Sequence, residues 1–402
     1  MKPMNNLPEF LTGERLIDKL AQKPKYNESI INKSVAERLS QLSDLYSIYI
    51  PSKMSVEIYS KLYLSLLHSI RKKNTRESLI QQHENHKAIL QTEHRGIIGG
   101  SDSFTIIGVS GIGKSSAIER TVKLISENAI LNMPESKVIP FVTVQCPFDC
   151  SVKGLMLDIL LSVDTVLGTK YYDNAVKARA TIDMLIGSVS QVAINHIGVL
   201  IVDEIQNIVN SRLGDKLVGM LTQLINSSGI SICMVGTPEV SNFFESTFYL
   251  ARRTIGLKYS AMDYCEDFCN FCREIFSYQY TKKYSAITPG ILQWLYEHSQ
   301  GITSVVVSLI HDAQEIAIID GTEELNMQSL SKAYENRHQM LHLHINQPKI
   351  SLPVVRKQSK KAAIDMHENQ NSISGTLNLS KQLGVDFVSL LKKKISVEVV
   401  RI

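Results

Sequence analysis

Gly108-Val109-Ser110-Gly111-Ile112-Gly113-Lys114-Ser115 stands between the apolar run Phe104-Thr105-Ile106-Ile107 and the helix-like segment Ser116 to Ile125. Strand, glycine-rich turn and helix in that order are the setting in which G-x-x-x-x-G-K-[ST] forms a phosphate loop. The glycines let the backbone curl until successive N–H groups, and the positive end of the helix dipole, face a polyphosphate. Gly108, Ser110, Gly111, Ile112, Gly113, Lys114, Ser115 and Ser116 are the residues expected to line the nucleotide. Lys114 is expected at the β- and γ-phosphates of ATP. Ser115 is expected at Mg²⁺, a small octahedral ion that takes few protein oxygens and draws the rest from phosphates and water. A strand-to-helix turn with no ligand is the alternative.

Outward from this loop, residues 91–260 alternate short apolar strands with helical patterns, the signature of a parallel sheet flanked by helices. Val138 to Val144 reads as a strand, Val152 to Leu167 as a helix, and about Asp173 to Ile194 as another. Ile197 to Val202 is an apolar strand closed by two carboxylates, Asp203 and Glu204. Asp203 is expected to hold Mg²⁺ or its waters, and Glu204 to polarise the attacking water as general base. Two acids ending a strand mean little alone, but about ninety residues after a phosphate loop they favour ATP hydrolysis over binding alone. The next strand, Gly229 to Val235, ends in Gly236-Thr237-Pro238. Thr237 is placed between acidic strand and phosphate loop to contact the water or γ-phosphate, or to cap the following helix. Arg252 and Arg253 follow a helix expected from Glu239 to Phe248. An arginine offered to a neighbouring subunit's γ-phosphate makes hydrolysis depend on assembly; an exposed surface pair is the other reading.

At 402 residues the chain exceeds one ordinary core. Four regions are expected: 1–90, an N-terminal helical adaptor; 91–260, the α/β ATPase core; 261–347, a small helical lid; and 348–402, a linker with a partner-docking tail. In the first, Ser34 to Leu45 carries a stripe of Val35, Leu39, Leu42 and Leu45, Pro51 breaks the pattern, and Val56 to Ile70 leads into Arg71-Lys72-Lys73. In the lid, Thr288 to His298 and Val305 to Ile319 read as helices, with Gly301 and Gly321 as breakers. Cys265, Cys269 and Cys272 are spaced by four and three beside Phe268 and Ile275, which suits one packed helix face; metal or cluster binding is the alternative. Six cysteines without a signal peptide suggest reduced thiols and a cytoplasmic location, and no apolar run is long enough for a membrane. The formal charge of +4 hides a division: residues 1–90 carry an excess of +5, residues 348–402 one of +6, and the middle −7. Basic flanks suit nucleic acid or acidic partners, or are solvated surface.

Gly108 to Ser115, Leu200 to Ile208 with its Asp-Glu-Ile-Gln string, Val235-Gly-Thr-Pro238 and Ala251-Arg252-Arg253 together resemble the TnsC-type AAA+ ATPases that regulate DNA transposition. Phe148 to Gly154, Ser299-Gln-Gly-Ile302, Ile50-Pro51 and Ser69-Ile-Arg71 extend the likeness over roughly residues 45–340. The resemblance implies an AAA+ P-loop ATPase core, parallel sheet flanked by helices, with an N-terminal helical region and a C-terminal helical lid. It implies a homo-oligomer, ring or filament, around duplex DNA that takes a signal from a target-selector protein or RNA-guided complex and recruits transposase subunits. It makes Lys153 the foremost DNA-backbone contact, with Arg212 and Lys216 next. Many AAA+ lids carry an arginine a few residues after the turn at Gly301; here Thr303 and Ser304 stand in that stretch. A replication initiator or helicase loader shares core and lid, though residues 348–402 show no helix-turn-helix. A nucleotide-gated scaffold with negligible turnover is the remaining alternative, against which Asp203, Glu204 and Arg253 speak.

Overall fold

The computed structural model describes residues 7–73, 103–126, 130–133, 136–241, 243 and 256–338. Its contacts divide the chain into residues 1–346 and 347–402, the latter outside the described residues. Six strands are described: β1 Phe104–Gly108, β2 Leu131–Asn132, β3 Lys137–Gln145, β4 Ile197–Asp203, β5 Ser231–Gly236 and β6 Leu257–Tyr259. The described helices are α1 Gly13–Leu20, α2 Val35–Leu42, α3 Lys53–Lys73, α4 Lys114–Ile125, α5 Val152–Leu167, α6 Tyr171–Lys177, α7 Ile182–His196, α8 Gly214–Ser228, α9 Glu266–Ser277, α10 Pro289–Ser299, α11 Thr303–Ile319 and α12 Met327–Ala333.

The sheet runs β2-β3-β4-β5-β1-β6. β2 pairs antiparallel with β3, and every other pairing is parallel. Parallel strands are covered on both faces and therefore read as unbroken apolar runs, and β4 shows how the alternation is spent. Leu200 and Val202 join a core made with α5, α7 and α8, while Val199 and Ile201 face a second core made with α1, α3 and α4. The N-terminal region thus supplies a covering layer of the sheet. Ile58, Leu62, Leu66 and Ile70 recur every four residues along α3 and are all buried, each worth about 1.5–3 kcal/mol of apolar burial. The approach is close: a Cβ on Gly198 would lie 2.6 Å from Leu66 Cδ1 and 2.4 Å from the Pro140 carbonyl oxygen.

A third core joins α9 to α12, and Ile30, Leu42 and Leu45 belong to it. The segment between α1 and α3 therefore packs on the lid, while α1 and α3 themselves pack on the sheet. The stripe expected from Ser34 to Leu45 holds at Leu39, Leu42 and Leu45, which pack in this core, and fails at Val35. Val35 follows the capping box of Ser34 and Glu37 and is 46% exposed, whereas Arg38 is fully buried. Arg38 Nη1 and Nη2 donate to the two Glu323 carboxylate oxygens at 2.6 Å each, and Nη1 also donates to the Tyr280 carbonyl at 3.0 Å.

Two further expectations are corrected. The single helix from about Asp173 to Ile194 is two, α6 and α7. Between them Arg179 takes a left-handed φ of +50°, and Thr181 caps α7 by accepting the Met184 N–H. The cysteine face is also narrower. Cys269 and Cys272 are buried with Phe268 and Ile275, but Cys265 precedes the first turn of α9 and is exposed. Burial pushes the Cys272 thiol well above the ordinary thiol range, as suits a packed, protonated side chain.

Candidate nucleotide site and its basic rim

β4, β5 and β1 lie side by side, and their C-terminal ends deliver the acidic pair, Thr237 and the phosphate loop to one edge of the sheet. Ligands of open α/β sheets sit at that edge. Gly111 and Gly113 hold φ of +80° and +92°, backbone that side-chain-bearing residues adopt only with strain. α4 begins at Lys114 with no acidic residue in its first turn, so its N–H groups and dipole face the loop uncompensated. Ile112 is buried, Ser110, Ser115 and Ser116 are exposed, and Gly108 ends the buried strand.

Lys114 is 9% exposed, and its Nζ donates to the carbonyl oxygens of Gly108 at 2.7 Å and Val109 at 2.9 Å. Burial pushes its ammonium below the ordinary lysine value, and the Asp203, Glu204 and Glu239 carboxylates push back. Ser115 Oγ donates to Asp203 Oδ2 at 3.2 Å. A hydroxyl and a carboxylate meeting at a helix N-terminus are the hard oxygen donors that suit Mg²⁺ beside phosphate. Glu204 donates its N–H to Asp203 Oδ1 at 2.8 Å and holds φ +57°. Left-handed backbone at a residue other than glycine costs about 1–3 kcal/mol and collects at functional sites. Gln206 donates its side-chain amide to Glu204 Oε2, while its own Oε1 is buried with no partner among the described residues. Thr237 is half-buried at the end of β5, its carbonyl accepting the Val240 N–H. Arg252 and Arg253 lie outside the described residues.

The lid reaches this loop. The Gly111 carbonyl accepts the Thr303 hydroxyl at 3.0 Å and the Ser304 N–H at 3.0 Å. Sequence reasoning missed this contact and that of Gln206 with Glu204, because nothing local marks either partner. His311, Asp312 and Glu315 also bring ligand atoms together in the lid. There the Arg337 guanidinium bonds both carboxylates, Asp312 at 3.1 Å and Glu315 closer, and supplies the positive charge itself.

Beside the nucleotide site, the loops leaving β3 and β4 are stitched together. Cys146 N–H donates to the Asp203 carbonyl at 2.8 Å, Asn207 Nδ2 to the Cys146 carbonyl at 2.9 Å, and Ser211 Oγ to the Asp149 carbonyl at 3.4 Å. Lys153, in the first turn of α5, Arg212, in the turn before α8, and Lys216, in its first turn, are all exposed beside these loops. A cleft of about 300 Å³ within these loops is lined by Phe148, Asp149, Asn207, Ser211 and Arg212, and by no phosphate-loop residue. Phe148 is 91% exposed, a placement that an apolar-to-core reading of sequence does not foresee. Among the described residues, no helix is long and apolar enough to cross a membrane.

Residues 94–244 match the model of a family described as AAA domain. No curated protein matches the sequence. Among solved structures, the chain is similar to the ORC1 protein of Aeropyrum pernix in complex with DNA, at 11% identity and a TM-score of 0.42, covering 64% of each chain. It thus spans a little under two thirds of that relative. The ORC2 protein of the same organism in its ADP form matches at 17% identity and a TM-score of 0.41, over 65% of this chain and 67% of that one. With ADPNP and ADP, ORC2 matches at 16% identity and a TM-score of 0.41, over 79% and 78%. The phosphate-loop segment, residues 94–244, is thus similar to AAA domains, and it is set in a mostly parallel sheet with flanking helices and a helical lid.

Proposed function

We propose that this chain is an ATP hydrolase that assembles on duplex DNA and regulates transposition in the manner of TnsC-type ATPases, with turnover timing assembly and release. The observation that carries the hydrolase is the convergence of Ser115, Asp203 and Glu204, with Glu204 held in strained backbone beside the Ser115–Asp203 pair. Mg²⁺, when bound, would supply positive charge to the terminal phosphate oxygens, and Ser115 and Asp203 are the residues to hold it. Lys114 neutralises phosphate charge from the floor of the loop. The free carboxylate oxygen of Glu204 accepts the proton of the attacking water while Gln206 fixes the other. Thr237 orients that water from β5, and Arg252 or Arg253 supplies charge from a neighbouring subunit, so that a complete site needs a homo-oligomer.

For the DNA half, Lys153, Arg212 and Lys216 contact phosphates, which positions a protein without reading bases. The bonds from Cys146 and Asn207 join this rim to Asp203 and offer a path between DNA and turnover. The transposition half rests on the resemblance of the Asp-Glu-Ile-Gln, Gly-Thr-Pro and paired-arginine strings. Residues 1–90 and 348–402 are the regions assigned to partners, the latter as a docking tail.

The test is phosphate release from Mg-ATP with and without duplex DNA, together with electron microscopy of protein, DNA and a non-hydrolysable ATP analogue. DNA-stimulated turnover and ATP-dependent rings or filaments are expected, as is recruitment of the cognate transposase to those assemblies. Absence of nucleotide-dependent assembly refutes the reading, and assembly without transposase recruitment refutes its transposition half.

A further inference from the structure

We propose that Thr303 is a positioning residue for the phosphate loop, acting through the peptide bond between Gly111 and Ile112; the inference rests on the nucleotide site proposed above. In a planar trans peptide the carbonyl and the following N–H point in opposite directions. The lid holds the Gly111 carbonyl from outside with two donors, the Thr303 hydroxyl and the Ser304 N–H, at 3.0 Å each. The Ile112 N–H on that peptide is thereby turned inward, to the hollow where a phosphate loop presents its amides to the α- and β-phosphates.

Three observations keep the contact from being incidental. A Cβ at Gly111 would lie 2.3 Å from Ser304 Oγ and 2.9 Å from Ile302 Cγ2, so lid and loop touch without spare room. Gly111 holds φ +80° and Gly113 φ +92°, a backbone with the freedom to flip this peptide if nothing restrained it. The lid turn is itself fixed: the Met262 N–H donates to the Gly301 carbonyl at 3.1 Å, and Gly301 is packed so closely that a Cβ there would lie 1.9 Å from the Met262 carbonyl oxygen. The lid therefore acts on phosphate binding with neutral donors and through the loop's own backbone. Lid closure and amide orientation become one event.

Binding of fluorescent ATP and ADP analogues to the full chain tests this, comparing wild type with Thr303→Val, Thr303→Ala and Thr303→Ser. The Ser304 N–H remains in all three, so loss of one neutral hydrogen bond should weaken ATP and ADP alike by about fivefold in the Val and Ala variants. The Ser variant should bind as wild type does, and unfolding midpoints without nucleotide should fall by no more than a few degrees in any variant. Unchanged affinity in both Val and Ala variants overturns the proposal. So does a loss confined to ATP, which would place Thr303 at the γ-phosphate, or an equal loss in the Ser variant. A wild-type chain that binds neither nucleotide refutes instead the nucleotide-site reading beneath it.

Discussion

Replacing Glu323 by Gln removes the carboxylate bonded to a fully buried guanidinium. Arg38 is 0% exposed and Glu323 13%, and their two bonds measure 2.6 Å. The amide oxygen that replaces the carboxylate keeps one acceptor and the Tyr280 carbonyl another, but the charge is left uncompensated. Breaking a buried pair by removing one partner costs about 3–5 kcal/mol, and the retained acceptors place this case near 3. Arg38→Met alone also leaves a buried charge, though a less enclosed one. Arg38→Met with Glu323→Gln leaves neither charge of the pair and also removes Arg38 Nε, which is buried with no partner among the described residues, so the double variant should recover most of the loss. Urea unfolding followed by tryptophan fluorescence reads the right region. Trp294 is the single tryptophan of the chain, and it sits in the lid stacked on His298 with ring centroids 3.9 Å apart. Acid adds a second arm. The Arg38 hydrogen bonds, foremost among the causes, hold the Glu323 carboxyl below its ordinary value of 4.5. The pair's contribution is therefore present above about pH 4.5 and lost as pH falls through the lower folded value. Wild type and Glu323→Gln should converge on acidification. A Glu323→Gln variant within about 0.5 kcal/mol of wild type at pH 7, the range of an ordinary surface substitution, would refute the reasoning, as would a double variant no better than the single one.

The nucleotide site predicts a division of roles: Lys114→Ala should abolish ATP binding and assembly, while Glu204→Gln should bind, fail to turn over and leave assemblies persistent on DNA. Equal loss of binding in both, by direct titration, would remove the general-base assignment. Lys153→Ala should weaken binding to unrelated duplexes equally and lower the salt slope of log K by about one per contact, with nucleotide binding intact. An unchanged slope takes Lys153 off the DNA. If Arg252 or Arg253 acts on a neighbour, protein lacking both arginines mixed with Lys114→Ala protein, at concentrations high enough for the latter to join assemblies it cannot form alone, should regain some turnover, and none despite proven co-assembly would mean they act elsewhere.

What the sequence made legible was what short stretches determine. The phosphate loop needs glycines and a lysine within eight residues, and β4 announces itself by seven apolar-to-acidic positions, so both are readable without knowing any partner. Arg38 is the opposite case. On α2 it looks like a solvated charge between Val35 and Leu39, and its burial is set by Glu323, 285 positions away. Gly111 and Thr303 are separated by 192 positions and meet only because the lid folds back. The division of α6 from α7 was written in Thr181 as a cap, but Ala178 and Ala180 hid the break, since alanine favours helix and only the left-handed Arg179 interrupts it. Phe148 is apolar yet exposed, and composition carries no sign of which apolar residue is left outside.

The traffic of the chain between core and lid has a mechanical consequence. It leaves the core after α1, enters the lid at Ile30, comes back to the core in α3, and crosses again between β6 and α9. The first two crossings are zipped together by Gln22 and Tyr49, which exchange backbone hydrogen bonds at 2.9 and 2.8 Å. Arg120, on the helix that starts at the phosphate loop, holds the first of them through the Leu20 and Ala21 carbonyls. A lobe hung on one thread can swivel about any axis. Hung on a two-ply strap and a third cord, it is held against twisting more firmly than on one, and the Thr303 bond to Gly111 ties it to the phosphate loop as well.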